Sequence, residues 1–126
     1  MVPPAKVVDG LLLCRSGGNR LAFPARQVVA VEAYDPVLEA PNARVAFSLV
    51  PTPGRTLIAE TGEAVIVDEV LVHQEALSLL PSPAIAGGAT AGWLKGFISA
   101  RDQLWPVLDL ADFSRYLIRT TPAEVA

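Results

Sequence analysis

The hydrophobic positions of the chain come in short runs that are separated by turn residues. An apolar run at residues 10–16 stops at residues 17–19 (Gly-Gly-Asn) and resumes at residues 20–24. Because glycine and asparagine tolerate positive φ angles, this pattern predicts a β-hairpin. A third run, residues 27–34, is rich in valine and almost continuously apolar, which predicts a strand that is buried on both sides at its start.

The second half of the chain repeats the pattern of β-rich runs around a turn. A second hairpin is predicted within residues 55–72, around a Thr-Gly turn, and a third within residues 93–108, around an Arg-Asp turn. Between the third strand and the second hairpin, residues 35–54 contain four prolines. These prolines leave residues 44–50 as the only plausible strand of that segment.

Helical periodicity is confined to the C-terminal end. Asp109 is placed to cap a helix, and Leu110, Phe113 and Leu117 have the spacing of one apolar helix face. Seven or eight short strands with one C-terminal helix are typical of an all-β fold built from small barrels or a sandwich. Residues 1–9 are predicted to be a flexible leader and residues 120–126 a tail.

Composition narrows the class of partner. The chain has 126 residues, of which 52% are hydrophobic and 18% charged, with a net charge of −3. This is enough for one domain with a core, and no basic run suggests a nucleic acid or an anionic membrane as a partner. The longest uncharged stretch, residues 76–94, is broken by prolines and glycines, so we interpret it as a connection and expect a cytoplasmic protein.

Few side chains of the sequence are candidates for catalysis or for metal binding. His73 is the only histidine and is expected near a strand end at the surface, while Cys14 is expected to fill the core. Asp68 and Glu69 are neighbours in a predicted strand, so their carboxylates point to opposite faces and do not share one proton. We therefore expect a binding module rather than an enzyme, with no metal or cofactor.

Several segments, in order, resemble the CheW-like adaptor family. Residues 10–34 resemble its opening strand, Gly turn, Ala-x-Pro strand end and Val-rich strand. Residues 67–70 (Val-Asp-Glu-Val) resemble its Val-Asp-x-Val strand, and prolines at 81 and 83 fall where it often has a Pro-rich loop. Residues 92–110 resemble its closing hairpin, in which Leu-x-Pro-Val-Leu-Asp-Leu leads into the last helix. The resemblance covers residues 10–34 and 55–118.

The resemblance implies a fold of two small SH3-like β-barrel subdomains in one domain at residues 10–119. The first barrel would span about residues 10–54 and the second about residues 55–119. It also implies a non-enzymatic cytoplasmic adaptor that couples chemoreceptors to a histidine kinase, with the helical cytoplasmic tip of the receptor in a groove between the barrels. A helix in a groove requires exposed apolar side chains on strands.

Carried over position by position, the resemblance places partner-binding residues on one strand of each barrel. They are Val28, Ala30, Val31 and Glu32 in the first barrel and Val67, Asp68 and Val70 in the second. For each valine the alternative is a core position, which is the default for an apolar strand residue. Asp68 has the alternative of accepting hydrogen bonds from backbone N–H groups at a strand end.

One departure from the family pattern concerns residues 35–54. The family carries there a hairpin around Gly-x-x-Asn-Leu-Arg-Gly and then a Pro-x-x-Asp-Leu strand, and this chain has neither. The first barrel is therefore predicted to be truncated, and binding of the kinase regulatory domain to be weak or lost. The alternative function is a small regulatory or ligand-binding β-barrel outside chemosensory signalling, which requires a concave pocket with convergent polar groups.

Overall fold

The computed structural model describes residues 6–35, 37, 40–81 and 93–120. In these residues the chain is mostly β, with two sheets of five and three strands and one C-terminal helix. The elements in chain order are β1 (Lys6–Ser16), β2 (Asn19–Pro24), β3 (Val28–Ala33), β4 (Arg55–Ala59), β5 (Ala64–Val67), β6 (Glu69–Pro81), β7 (Leu94–Ala100), β8 (Gln103–Leu108) and α1 (Leu110–Thr120).

The three predicted hairpins are confirmed. β1 and β2 are joined by Gly17 and Gly18, whose φ angles of 59° and 83° are those that a two-residue hairpin turn needs. β4 pairs with β5 across the predicted Thr-Gly turn. β7 pairs with β8 across Arg101 and Asp102, which adopt the same left-handed conformation, with φ angles of 51° and 60°, without being glycine.

The larger sheet is strongly curved. Its strands follow the order β1-β2-β8-β7-β6, and β6 also pairs with β1 in a long antiparallel ladder. Two of its junctions are narrow among the described residues: β2 meets β8 at the single parallel pair Ala22 and Val107, and β6 meets β7 at two pairs. The smaller sheet has the order β3-β4-β5.

The strands do not divide at the predicted barrel boundary near residue 54. β1 and β2 pair with strands from the second half of the chain, whereas β3 pairs with β4. The boundary therefore does not separate the two sheets, and each sheet combines both halves of the chain. Residues 6–9, predicted as part of the leader, belong to β1, which begins at Lys6. Residues 1–5, 82–92 and 121–126 lie outside the described residues.

The strand predicted at residues 44–50 is wrong. Ala43–Phe47 forms a short 3₁₀ helix instead. Asn42 caps it, because its side-chain oxygen accepts a hydrogen bond from the backbone N–H of Arg44 at 3.0 Å, and Ser48 ends it with a φ of 57°. This local side-chain to backbone bond favours the turn over an extended conformation.

Two apolar clusters lie on opposite faces of the larger sheet, as strand alternation requires. One face contributes Leu12 and Cys14 to a core that also contains the buried side of α1, which confirms both the predicted helix face and the predicted position of the cysteine. The other face contributes Leu11 and Leu13 to a second cluster with Trp105. Among the described residues, no helix has the length and apolar character needed to cross a membrane.

Candidate interaction surface

β3 is the edge strand of the smaller sheet and is paired with β4 alone in the part of the chain that the structure describes. Val28 packs partly against the core, but Val29 is 61% exposed and Val31 is 43% exposed. The prediction that this strand is buried on both sides at its start is therefore wrong. The physical reason is that an edge strand has one neighbour in its sheet, and here only its first residue reaches the core.

All four partner-binding residues predicted on β3 have access to solvent. Val28 and Ala30 are half-buried, and Val31 and Glu32 are exposed. The register with β4 shifts between Val28 and Ala30, which leaves Val29 without a partner in the ladder. A bulge of this kind redirects the side chains that follow it.

The residues predicted on the second strand separate into three environments. Val67 is fully buried in the same core as Leu57 and Val65, so it belongs to the core and is not available to a partner. Val65 and Val67 share one face of β5, and Ile66 on the opposite face is also buried, so this strand is covered on both sides. Val70 is half-buried at the rim of that core cluster, where Val28 also packs.

Asp68 occupies the break between β5 and β6, where the chain leaves the smaller sheet and enters the larger one. Its carboxylate accepts two hydrogen bonds from the Arg44 guanidinium, Nε to Oδ1 at 3.0 Å and Nη2 to Oδ2 at 2.9 Å. Its Oδ2 also accepts a hydrogen bond from the backbone N–H of Gly17 at 2.8 Å. The alternative stated for Asp68, that it accepts hydrogen bonds from backbone N–H groups, therefore holds for Gly17, while the side chain of Arg44 supplies the other bonds described here.

These contacts make Asp68 a junction between three parts of the fold. The hydrogen bonds from Arg44, followed by that from Gly17 and the charge of Arg44, hold the pKa of Asp68 below its usual range against the opposing effect of partial burial. The same pair raises the pKa of Arg44. Two parallel hydrogen bonds from one guanidinium group hold both side chains in a fixed orientation, so the Asp68 carboxylate has a structural role.

Further exposed apolar side chains lie next to the predicted partner-binding residues in the sequence. Leu71 and Val72 on β6 are 42% and 57% exposed, and Tyr34, directly after β3, is 43% exposed. The signal that identifies the β6 pair is the unbroken Val-Leu-Val run at residues 70–72. Consecutive strand residues face opposite sides, so such a run exposes at least one of them unless both faces are covered.

Neither His73 nor Cys14 is arranged for catalysis among the described residues. His73 lies inside β6 rather than at its end, and its Nε2 is buried without a hydrogen-bond partner there. Cys14 is buried, which raises the pKa of its thiol, and its Sγ donates to the carbonyl of Leu12 at 3.7 Å. In the same residues no group of three or more histidine, cysteine or acidic side chains could hold a metal ion.

Several concave sites in the described residues bear on the ligand-binding alternative. Two open ones, of about 470 and 500 Å³, have polar lining residues that include Glu63 and Arg115, and a smaller apolar pocket lies beside the helix. Its volume is about 180 Å³, and aromatic side chains dominate its wall, including Phe47, Trp93, Phe113 and Tyr116. Pockets for small molecules are usually about 300–1,000 Å³ and carry a few convergent polar groups. The pocket beside the helix is smaller than this and mainly apolar, so it does not match that description.

Comparison with protein-family models gives no match for this chain, and no curated protein matches it.

Proposed function

We propose that this chain is a CheW-like adaptor that binds the helical cytoplasmic tip of a chemoreceptor. The shortened sequence pattern resembles, within that family, the short CheW-like protein of the Frz system of gliding bacteria. In this interpretation the larger curved sheet corresponds to one SH3-like barrel and the three-stranded sheet to the truncated one.

The observation that carries the proposal is the exposed apolar surface of β3. Val29 and Val31 present apolar side chains on an edge strand, and Val28 and Val70 each pack, half-buried, against the same core cluster. An amphipathic helix that binds in a groove needs exposed apolar side chains on the strands that line the groove. A chain of which only 18% of the residues are charged supports this kind of contact.

The proposed contact set differs from the one that the resemblance alone implies. Val28, Ala30, Val31, Glu32 and Val70 remain in it, and Val29 and Val72 join it because they are more exposed than Val31. The two omitted residues are those that the structure uses internally: Val67 in the core and Asp68 in its bond to Arg44.

Weak or absent kinase binding is part of the same proposal. Residues 40–54 contain a 3₁₀ helix and irregular backbone where the family carries a hairpin and a further strand. The smaller sheet therefore has three strands in the described part of the chain. In the family the corresponding barrel supplies one of two kinase surfaces, and a sheet without those strands offers less area for such a contact.

The test is isothermal titration of the full chain with two separate partners, a receptor cytoplasmic-tip fragment and a kinase regulatory domain. We expect binding of the receptor fragment and no heat, or only weak binding, with the kinase domain. Nanomolar binding of the kinase domain would refute the second half of the proposal, and absence of receptor binding would refute the first.

The matched variants are Val31→Asp and Val50→Asp, which place the same charge at two exposed valines. Val50 is 78% exposed and lies in the segment after the 3₁₀ helix, outside the proposed contact set. Val31→Asp should weaken receptor binding at least about tenfold, because burial of an unpaired carboxylate is unfavourable. Equal effects of the two variants would mean that β3 is not the contact.

A further inference from the structure

Two arginines face each other across the first hairpin. Arg15 on β1 and Arg20 on β2 are direct partners in the antiparallel register, so their side chains leave the same face of the sheet. Directly opposed residues have Cβ atoms about 4.5–5.5 Å apart, and like charges at that separation are destabilising. The fold tolerates this arrangement near the end of the β1–β2 ladder, next to the two-residue turn.

Both guanidinium groups are held in position by neutral groups at the start of β8. Arg15 donates from Nη2 to Oε1 of Gln103 at 3.1 Å, and its Cζ lies 5.3 Å from the centroid of the Trp105 ring. Arg20 donates from Nε to the carbonyl of Leu104 at 2.9 Å. Each arginine has five N–H donors, so these bonds orient the two forks and leave further donors for a ligand.

No carboxylate neutralises the pair within the described residues. The ion pairs found there use Arg44, Lys95 and Arg115. Glu69 is the neighbour of Arg15 on the β6 side, but the two do not form an ion pair. Two oriented, half-buried arginines beside an aromatic ring therefore lack the anion that their geometry suits.

We propose that Arg15 and Arg20 form a binding site for carboxylates of an acidic segment of a protein partner. The planar forks match carboxylate oxygens in pairs, and the Trp105 ring keeps the Arg15 fork in place. The net charge of −3 and Glu69 beside the pair repel anions in general, so a short acidic segment, which carries fewer charges, is opposed less than a nucleic acid or an anionic membrane. The inference does not rest on the proposed receptor contact on β3.

The experiment is an NMR titration of the full chain with a hexaglutamate peptide at low salt. The Nε–H signals of Arg15 and Arg20 and the indole N–H signal of Trp105 should shift together. Arg20→Gln should weaken the binding roughly tenfold or more, since it removes charge-assisted hydrogen bonds. The matched control is Arg55→Gln, an exposed arginine on β4, which should leave the affinity unchanged.

Three results would overturn the proposal. The first is a titration in which the Arg15 and Arg20 signals do not move. The second is equal weakening by Arg20→Gln and Arg55→Gln, which would mean a general charge effect. The third is tighter binding at this pair of a short oligodeoxynucleotide or inorganic phosphate than of the peptide. Arg20→Lys is measured alongside, because it keeps the charge and should still lose most of the affinity if the fork is required.

Discussion

Replacement of Val67 by alanine tests the assignment of that residue to the core. Val67 is fully buried, and the substitution removes two methyl groups from a packed site. At about 0.8 kcal/mol for each buried methylene-sized group, the transfer free energy is about 1.6 kcal/mol, and the remaining cavity raises the expected loss to about 2–3 kcal/mol. Val31→Ala is the matched comparison. Because Val31 is 43% exposed, this replacement should lower the free energy of unfolding by less than about 1 kcal/mol.

The assay is urea unfolding at neutral pH, followed by the fluorescence of Trp93 and Trp105. The free energy of unfolding in water is obtained by linear extrapolation, and equal slopes for the two variants show that the comparison is valid. Two results would refute the reasoning: a Val67→Ala loss within about 0.5 kcal/mol of zero, which is the range of an ordinary surface substitution, or equal losses for both variants.

Three further predictions concern stability. Because the pKa of Asp68 is depressed in the folded state, its contribution to stability is present above its ordinary pKa of 3.8 and is lost as the pH falls below that value. Asp68→Asn should therefore reduce the fall of the urea midpoint at acid pH. An unchanged fall would contradict the role of Arg44. Replacing Arg101-Asp102 by Asn-Gly should stabilise the chain by up to about 1 kcal/mol in thermal unfolding, since both positions have positive φ angles, and a loss would mean that these side chains have contacts beyond the turn. Asp109→Ala should cost about 0.5–2 kcal/mol in the same assay, because the Asp109 side chain accepts a backbone hydrogen bond from the first turn of α1, and a neutral result would show that this bond is not a stabilising cap.

The sequence was sufficient to predict the elements whose signals are local. The Gly17-Gly18 turn, the apolar spacing of α1 and its cap at Asp109 depend on neighbouring residues only, and the structure contains all three. The burial of Cys14 was also predictable, because it lies within an apolar run that alternates across a strand.

Apart from the 3₁₀ helix at Ala43–Phe47, whose cap at Asn42 is local, the incorrect predictions concern contacts between distant parts of the chain. A valine-rich run such as β3 is compatible with a central strand or with an edge strand, and its position depends on which strands pair with it. The same limit applies to Val67 and Val70, since pattern alone does not show which of them faces the core and which lies at its rim. Asp68 was predicted as a contact, with a backbone acceptor as the alternative, and the sequence pattern does not reveal its bonds to Arg44 and Gly17.

The way in which the strands are combined has a consequence for the order of folding. β3, β4 and β5 come from one continuous stretch, residues 28–67, so the longest connection between strands of their sheet is residues 34–54. The larger sheet joins β1 to β6 and β2 to β8, which brings the two ends of the described chain together. Contacts of long sequence separation form slowly, so during synthesis the first hairpin must wait for β8 to leave the ribosome before its sheet is complete.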